Sequence, residues 1–363
     1  MKILILFIAF FYISNTLFAQ SDKIFVYYDD NKFIKEEYFA DIIDNDTIKN
    51  GEYKFYYKTG NVYQQGNFVN NKLEGKWNIF YESGKLKNIV SFKNNLRNGL
   101  YKSFYETGET EIIGNYINSK REGEFFEYFE CGNIKSKFIY INDYLNGISI
   151  SYFEDGNNRF IIEYKEGINN GLWEKYYETG ELNYKGTKLG KYFVDTLWTY
   201  YKNGQIERIS TYKNGKLNGN FVSFYQTGEK QSECSYRDDN IEGKYTDYHK
   251  NGNVFQTGEY LRNMKIRKWK SFYADNELFT EGEFLNDKYE GEWKVYYRNG
   301  KLKQIGKYKN GKSIENWKFY YENGNIWEEG SYFDDLKDGE WKIFDEQGKL
   351  FRTEIYEKGI LKN

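Results

Sequence analysis

The feature that most constrains this chain is a 24-residue repeat that runs without an insertion from Gly51 to Lys362. With Gly51 counted as position 0 of the repeat, thirteen copies follow in phase, and position 0 is Gly in ten of them. Position 5 is Tyr or Phe in all thirteen copies, and position 9 is Gly in all but one, where Asn276 stands. A period this strict predicts a repeat architecture in which each copy mainly contacts its neighbours.

Each repeat is long enough for two strands and carries two turn signals. Positions 8 and 9 read Thr-Gly, Ser-Gly, Asp-Gly or Asn-Gly in most copies, and positions 19 and 20 read Asn-Asn, Asn-Asp, Asp-Asp or Asn-Gly. Such residues tolerate positive φ in two-residue hairpin turns. The chain has no Pro, so no strand interior loses an N–H donor. We therefore predict an all-β fold, an elongated antiparallel meander of about thirteen stacked 24-residue β-hairpins with about 26 strands and little or no helix after residue 21.

The turn positions also predict a register. If positions 8 and 9 form the turn, position 6 faces 11, position 2 faces 15 and position 0 faces 17, all on one face of the sheet. Gly at position 15 would then make room for an indole ring at position 2. The expected pairs are Trp173 over Gly186, Trp269 over Gly282, Trp293 over Gly306 and Trp317 over Gly330. Gly291 at position 0 would likewise face Tyr308, while position 5 points to the opposite face.

The amino-terminal part of the chain differs from the repeats. Residues 1–19 are typical of a secretory signal, with Lys2 before an apolar run and Ala19 before a polar start. We expect an exported protein, cleaved near Ala19 and located in the periplasm, at the cell surface or outside the cell. Residues 20–50 are predicted to form a divergent cap, in which Tyr27 and Tyr28 take positions 5 and 6, and residues 51–363 form the repeats.

One segment carries a family resemblance. Residues 299–324, "NGKLKQIGKYKNGKSIENWKFYYENG", resemble the bacterial variant of the MORN repeat, which is seen in the YwqK family of antitoxins. The resemblance implies a twisted antiparallel meander of stacked hairpins that serves as a scaffold or a binding surface. The departures from the pattern are Asp195, Arg267 and Glu315 at position 0 and the late aromatic of Leu197-Trp198, so the resemblance does not fix the local twist or a bulge at these points.

Few residues suggest catalysis. His249 is the only His, so a catalytic triad and an imidazole metal cluster are excluded, and its place at position 6 predicts a packed ring in place of Tyr. Cys131 and Cys234 are about four repeats apart, on the order of 40 Å, and should be unpaired. Glu178 and Glu322 at position 7 are read as a solvated rim rather than an acid/base pair. We predict no catalytic, cofactor-binding or metal-binding residue, and therefore no enzyme.

The charge balance limits the partners. A net charge of -2 and no basic run give no reason to expect nucleic acid or an anionic membrane surface. No long apolar stretch follows residue 19, so membrane insertion is not expected. The oligomeric state stays open.

The candidate binding surface is aromatic. Trp269, Trp293, Trp317 and Trp341 occupy position 2 in four consecutive repeats, about 10 Å apart if strands are spaced normally. This tryptophan ladder is either a packed face or a stacking surface for a glycan or an extended peptide. We predict a non-enzymatic scaffold that binds a protein partner, with a toxin–antitoxin or immunity role as the finer hypothesis. The alternative is a carbohydrate-binding envelope module that uses the ladder.

Overall fold

The computed structural model describes residues 21–29, 32–44 and 46–362. The predicted signal sequence and its cleavage site at Ala19 lie outside the described residues. Every regular element in the described part is a β-strand, and each pairing between strands is antiparallel. The predicted all-β meander of hairpin repeats is therefore confirmed.

The 32 strands, numbered in chain order, are β1 (Asp22–Tyr27), β2 (Ile34–Ile43), β3 (Asp46–Tyr56), β4 (Val62–Val69), β5 (Lys72–Phe80), β6 (Leu86–Lys93), β7 (Leu96–Phe104), β8 (Thr110–Ile117), β9 (Lys120–Arg121), β10 (Gly123–Tyr128), β11 (Ile134–Ile141), β12 (Tyr144–Leu145), β13 (Gly147–Tyr152), β14 (Asn158–Lys165), β15 (Ile168–Tyr176), β16 (Leu182–Leu189), β17 (Tyr192–Tyr200), β18 (Ile206–Lys213), β19 (Lys216–Phe224), β20 (Lys230–Arg237), β21 (Asn240–Ile241), β22 (Gly243–Tyr248), β23 (Val254–Leu261), β24 (Met264–Phe272), β25 (Leu278–Leu285), β26 (Lys288–Tyr296), β27 (Leu302–Lys309), β28 (Lys312–Tyr320), β29 (Ile326–Phe333), β30 (Leu336–Phe344), β31 (Leu350–Glu357) and β32 (Ile360–Leu361).

The strand number exceeds the predicted 26 for two reasons. Three repeats have their first strand in two parts, as in β21 and β22, where Glu242 interrupts the ladder. The cap adds β1 and β2, and the short β32 follows the last hairpin. The strands form two compact units, of which the first comprises the chain up to Leu145 with residues 154–156, and the second the rest. The predicted divisions at residues 19 and 50 stay predictions.

The two turns of each repeat are of different kinds. At positions 19 and 20 both residues have positive φ in every repeat except the one with Lys191, as in Asn70 (50°) and Asn71 (62°), so the predicted two-residue turn is confirmed there. At positions 8 and 9 it is wrong. Tyr57 O accepts a hydrogen bond from Gly60 N (3.0 Å), and Tyr57 N donates to Asn61 O (2.8 Å). Only the Gly of this turn has positive φ, 92°, which is a type I turn closed by a left-handed Gly.

This longer turn changes the register near it but not farther away. Tyr56 at position 5 pairs with Val62 at position 11, so the prediction that position 6 faces 11 is wrong. A bulge next to Tyr56 supplies one extra residue, position 12, on the returning strand. Beyond it Tyr53 pairs with Gly66 at position 15, as predicted. The longer turn shifts the pairing by one residue and the bulge restores it, so the register predicted beyond the bulge was correct.

A second irregularity explains the Gly at position 0. Gly291 pairs with Tyr308 as predicted, but a Cβ on Gly291 would meet no atom within 4 Å, so this Gly does not make room for the ring. Its φ is 66°, and the backbone bulges at this point in every repeat junction. Arg267 (59°) and Glu315 (56°) adopt the same conformation without being Gly. The residue type at position 0 is therefore set by backbone conformation, not by aromatic packing.

The repeat places its side chains on two faces. The aromatic face carries positions 2, 15 and 17, as shown by the ring contacts of Trp77 with Tyr53 and Phe68. The opposite face carries positions 3 and 14 and also position 5, whose Tyr296 donates to Glu281. The prediction that position 5 lies opposite position 2 is confirmed. The buried apolar side chains lie mostly on the aromatic face.

Candidate functional site

The tryptophan ladder has the predicted register but a different packing contact. Trp317 is paired along the ladder with Gly330, yet its ring lies over Gly306 of the preceding repeat, where a Cβ would be 2.0 Å from the indole. Trp341 covers Gly330 in the same way. The bulge beside position 15 tilts each indole back across the repeat junction. The predicted contacts of Trp269, Trp293 and Trp317 with the Gly of their own repeat are therefore wrong by one repeat.

Trp173 follows neither arrangement. The atom nearest to a Cβ on Gly186 would belong to Leu197, at 2.9 Å, so the predicted contact between Trp173 and Gly186 is wrong. Trp173 is only half-buried and instead stacks on Tyr184, with ring centroids 4.5 Å apart. At Leu197-Trp198, where the aromatic falls one place late, Leu197 fills position 2 and is buried.

Aromatic rings enclose the indoles of the ladder from both sides. Trp317 makes edge contacts with Tyr308 (5.0 Å) and Tyr332 (5.6 Å), the position 17 rings of two successive repeats. Trp269 and Trp341 are also covered by a Lys, with Lys337 Nζ 4.0 Å from the Trp341 ring. The indole N–H groups donate to backbone carbonyls, as Trp293 does to Glu283 (2.9 Å). Both the faces and the polar atom of each indole are thus engaged within the protein.

The resulting burial decides whether the tryptophan ladder is a packed face or a stacking surface for a ligand. The exposed fractions are 3% for Trp269, 8% for Trp293, 3% for Trp317 and 0% for Trp341. A stacking surface needs open ring faces. The four indoles therefore act as the core of the aromatic face, and any ligand role for them stays a prediction that requires the cover to move.

A second aromatic row, at position 6, holds neighbouring repeats together. Tyr297 Oη donates to the carbonyl of Tyr320 (2.7 Å), 23 residues ahead, and the same bond recurs from Tyr57, Tyr81, Tyr105, Tyr177, Tyr201, Tyr225, Tyr273 and Tyr321. His249 Nε2 lies 2.9 Å from the carbonyl of Phe272. The prediction that His249 replaces a packed Tyr is confirmed. Tyr28 of the cap makes the bond as well, to Tyr56 O.

The other chemically reactive candidates are separate from one another. Cys131 is exposed in a turn and Cys234 is half-buried, and both are free thiols. Burial raises the pKa of the Cys234 thiol to about 11, which makes it a poor nucleophile at neutral pH. Glu178 and Glu322 are exposed beside their turns. Within the described residues no group of three or more His, Cys, Asp or Glu could hold a metal ion.

The opposite face of the second unit carries paired charges. Lys270 Nζ lies 3.2 Å from Glu281, which also accepts a hydrogen bond of 2.8 Å from Tyr296. This hydrogen bond is the largest cause of the lowered pKa of Glu281, while burial and then the same carboxylate raise the pKa of Tyr296 to about 12. An open cavity of about 470 Å³ lies here, lined by Lys268, Lys270, Glu281, Glu283, Glu292 and Lys294 among others. Its charges balance, so it favours neither an anion nor a cation.

One row of exposed aromatics lies elsewhere, at position 12. Phe255, Phe279, Trp327 and Phe351 are 42%, 37%, 44% and 68% exposed. They flank the position 6 row, as in the pair Tyr273 and Phe279 (4.8 Å). The sequence analysis missed them because only the bulge, which it did not predict, turns position 12 outward. Aromatic residues at a position that is polar or charged in eight of the thirteen repeats were the available signal.

No described helix is long and apolar enough to cross a membrane. No curated protein matches the chain. Two solved structures are similar over most of it: a crystal structure of TcdB2-TccC3 (9% identity, 94% of this chain and 27% of that chain, TM-score 0.18) and the Photorhabdus luminescens Tc holotoxin pore with mutation TccC3-D651A (12%, 91% and 23%, 0.17). The chain spans about a quarter of those chains, and at such TM-scores neither structure bears on its fold or function.

The family comparison is decisive by contrast. The model described as MORN repeat variant matches ten segments, at residues 49–70, 73–94, 97–118, 169–187, 199–214, 217–238, 241–261, 289–310, 316–334 and 337–358. The segments follow the 24-residue phase and together cover more than half of the chain. Within the repeats, the longest unmatched stretches contain those that begin at Gly123, Gly147 and Arg267. The chain belongs to the MORN repeat variant family.

Proposed function

We propose that this chain is a non-enzymatic repeat scaffold that binds a protein partner outside the cytoplasm. The observation that carries the proposal is the contrast between a constant framework and a variable surface. The repeats 291–314 and 315–338 both bury a Trp at position 2 among aromatic rings: Trp293 contacts Phe284 and Tyr289, and Trp317 contacts Tyr308 and Tyr332. The first contains seven Lys or Arg and one Glu, and the second two Lys and seven Asp or Glu. A framework that keeps its core while changing its surface charge suits recognition of a particular partner.

The non-enzymatic part rests on the same framework. His249 is engaged as a structural ring, and Glu281, whose pKa is lowered, is held by a hydrogen bond from Tyr296 and an ion pair with Lys270. Perturbed groups in structural networks are common and do not by themselves indicate catalysis. The export expected from residues 1–19 places the partner in the periplasm, at the cell surface or outside the cell. A toxin–antitoxin or immunity role is a finer form of this proposal.

The test is reconstitution with a purified partner. The mature chain is immobilised, envelope proteins that it retains are identified, and each is purified and titrated against the chain by calorimetry. We expect a saturable complex that weakens when Lys301 and Lys303 are changed to Glu, or when Glu322 and Glu346 are changed to Lys. Failure of every retained protein to bind after purification would contradict the proposal. Neutralisation of a toxic partner on co-expression would support the finer role.

A glycan-binding module is the second candidate, and the exposed aromatics at position 12 favour it. Phe279 and Trp327 offer the open ring surface that the tryptophan ladder lacks. The test is sedimentation of the chain with insoluble peptidoglycan, chitin or cellulose, comparing the wild type with the Phe279→Ala/Trp327→Ala variant. Equal sedimentation of both, or none of either, would remove this candidate.

A further inference from the structure

The outer face of the position 19–20 turns carries a row of exposed side chains that the framework does not use. Positions 18 and 21 flank each turn and pair directly, as in Leu261 with Met264. Successive side chains of a strand point to alternate faces, and position 17, next to position 18, points to the aromatic face. Positions 18 and 21 therefore lie on the opposite face. We call positions 18 and 21 of the second unit the turn-edge row.

The row has apolar anchors at a regular interval. Three of its pairs are wholly apolar: Leu189 with Tyr192, Leu261 with Met264, and Phe333 with Leu336. Their side chains are between 36% and 64% exposed. The three pairs are spaced by three repeats each, which is roughly 30 Å at normal strand spacing. Within each anchor, two apolar side chains are exposed side by side, and such adjacent exposed groups mark interaction surfaces more often than single residues do.

Cations separate the anchors. Lys213 pairs with Lys216 between the first and second anchors, and Lys309 pairs with Lys312 between the second and third. All four side chains are exposed. Lys312 contacts Asp334 (2.6 Å), whereas no ion pair involves Lys213, Lys216 or Lys309 within the described residues. Like charges placed directly opposite each other disfavour the sheet, so these pairs act against stability unless an anion covers them.

We propose that the turn-edge row binds an acidic, amphipathic segment of a partner protein. Apolar side chains of the segment contact the anchor pairs, and Asp or Glu side chains between them neutralise the Lys pairs. One 30 Å interval corresponds to roughly 20 residues of helix or about 9 of extended chain. The proposal rests on the proposed scaffold function and deepens it by naming the surface and the chemistry of the partner.

An excess of acidic residues at the turn tips favours a protein segment over an anionic bilayer. In the turns themselves, beyond the turn-edge row, six carboxylates outnumber three cations: Glu166, Asp238, Asp239, Asp287, Asp334 and Asp335 against Lys191, Arg262 and Lys358. A flat anionic surface that approaches this edge would meet these carboxylates first and be repelled. A narrow peptide can lie along the face beside them and reach the Lys and apolar side chains.

The experiment selects binders from a displayed library of random 20-residue segments, using the full mature chain as the target. Selected peptides are titrated by fluorescence anisotropy against the wild type and three folded variants. The first variant is Lys213→Glu/Lys216→Glu, and the second is Leu261→Ser/Met264→Ser. The matched control is Lys250→Glu/Lys349→Glu, which reverses two exposed cations at the other turn edge. Vesicles of phosphatidylglycerol and phosphatidylcholine serve as the membrane probe.

We expect the selected peptides to be rich in Asp, Glu and large apolar residues. Affinity should fall at least about tenfold in both row variants, stay unchanged in the control, and fall with added salt. Peptides without acidic enrichment, equal binding by all four proteins, or preferential binding of the vesicles would overturn the inference. Selected peptides that bind elsewhere would leave the scaffold function standing, whereas a library without binders would count against both.

Discussion

Two kinds of repeat junction can be compared within the second unit. In residues 258–341 Gly at position 15 is covered by the Trp of the next repeat, and this arrangement occurs four times in succession. At the junction near residue 210, Ser210 takes the place of Gly and Phe221 the place of Trp. Ser210 is fully buried and stays paired with Phe221, whereas Gly306 is displaced from the ladder. A larger residue on one side of the junction thus accompanies a smaller ring on the other.

The reciprocity does not extend to every junction. Val90 pairs with Tyr101, a ring smaller than Trp, whereas Ile162 pairs with Trp173 and Gly186 is covered by Leu197. Trp173, whose partner Ile162 is large, is only half-buried. The contact that limits the size of a ring covering Gly at position 15 lies across the junction rather than within a repeat, because position 2 leans onto the preceding copy. Close packing tolerates such volume-conserving changes far better than a change on one side alone.

The largest effect should follow from filling the Gly of a Trp junction. The Gly306→Val variant puts a side chain where the Trp317 ring lies, 2.0 Å from the missing Cβ, so the indole must leave its site. We expect a loss of about 3 kcal/mol or more in the free energy of unfolding, measured by chemical denaturation. Combining Gly306→Ser with Trp317→Phe recreates the Ser210–Phe221 junction and should recover more than half of the loss caused by Gly306→Ser alone. No recovery would refute reciprocal packing.

Truncating the ring should have the next largest effect and should differ between the two junctions. Trp317→Ala removes a ring that is 3% exposed, and we expect a loss of about 3 to 5 kcal/mol. Phe221→Ala removes a smaller, half-buried ring and should cost less. Thermal and urea unfolding of both variants provide the comparison. Equal losses, or a loss below about 2 kcal/mol for Trp317→Ala, would mean that the indoles are not the core of the aromatic face.

A third comparison uses pH, because Trp does not titrate and Tyr does. Tyr245 occupies position 2 in the repeat that follows that of Phe221, and its hydroxyl donates a hydrogen bond to Asp247 (2.6 Å). Burial and then this hydrogen bond raise the pKa of Tyr245 well above its usual range. The stability that it contributes is present below pH 10, where the unfolded Tyr is neutral, and is lost as pH rises above 10.

We therefore expect the wild type to lose stability relative to the Tyr245→Phe variant by about 1 kcal/mol per pH unit above pH 10. The measurement is urea unfolding of both proteins between pH 8 and 11, and the other Tyr residues cancel in the difference. Trp293→Phe is the matched control and should show no such pH dependence. A constant difference between the wild type and Tyr245→Phe would contradict the assigned burial of the hydroxyl.

The sequence predicted the period, the hairpins, the two faces and the pairing of position 2 with position 15. It did so because these follow from alternation and turn chemistry, which are local. It did not predict the bulges at positions 0 and 12. Gly at position 0 can serve either to leave room for a facing ring or to allow positive φ, and only the backbone geometry distinguishes these two explanations. Arg267 and Glu315 pointed to tolerance of side-chain volume there, as the structure shows.

The site was less predictable than the fold for the same reason. Without the bulges, Trp317 was assigned to Gly330 instead of Gly306, and Phe279 and Trp327 were not recognised as exposed. Burial of the tryptophan ladder depends on rings from two neighbouring repeats, a contact that no single repeat specifies. Sequence therefore identified which residues are aromatic on one face, and three-dimensional packing decided which of them solvent can reach.

The smallest expected effect concerns position 0, where the Trp junctions differ among themselves. Arg267 and Glu315 hold positive φ there, and each forms an ion pair of 2.6 Å with the residue eight positions earlier, Glu259 and Lys307. Gly291 has the same conformation and has Glu283 eight positions earlier.

We expect Gly291→Ala to cost about 1 kcal/mol in the free energy of unfolding, because Ala disfavours positive φ. Gly291→Arg should cost about 0.5 kcal/mol less than Ala, since an exposed ion pair with Glu283 offsets part of the strain. High salt, or the added change Glu283→Gln, should abolish that advantage in urea unfolding. If Arg and Ala are equally costly at low salt, the ion pairs at Arg267 and Glu315 do not compensate for the backbone, and these two residues are tolerated only because their side chains meet open space.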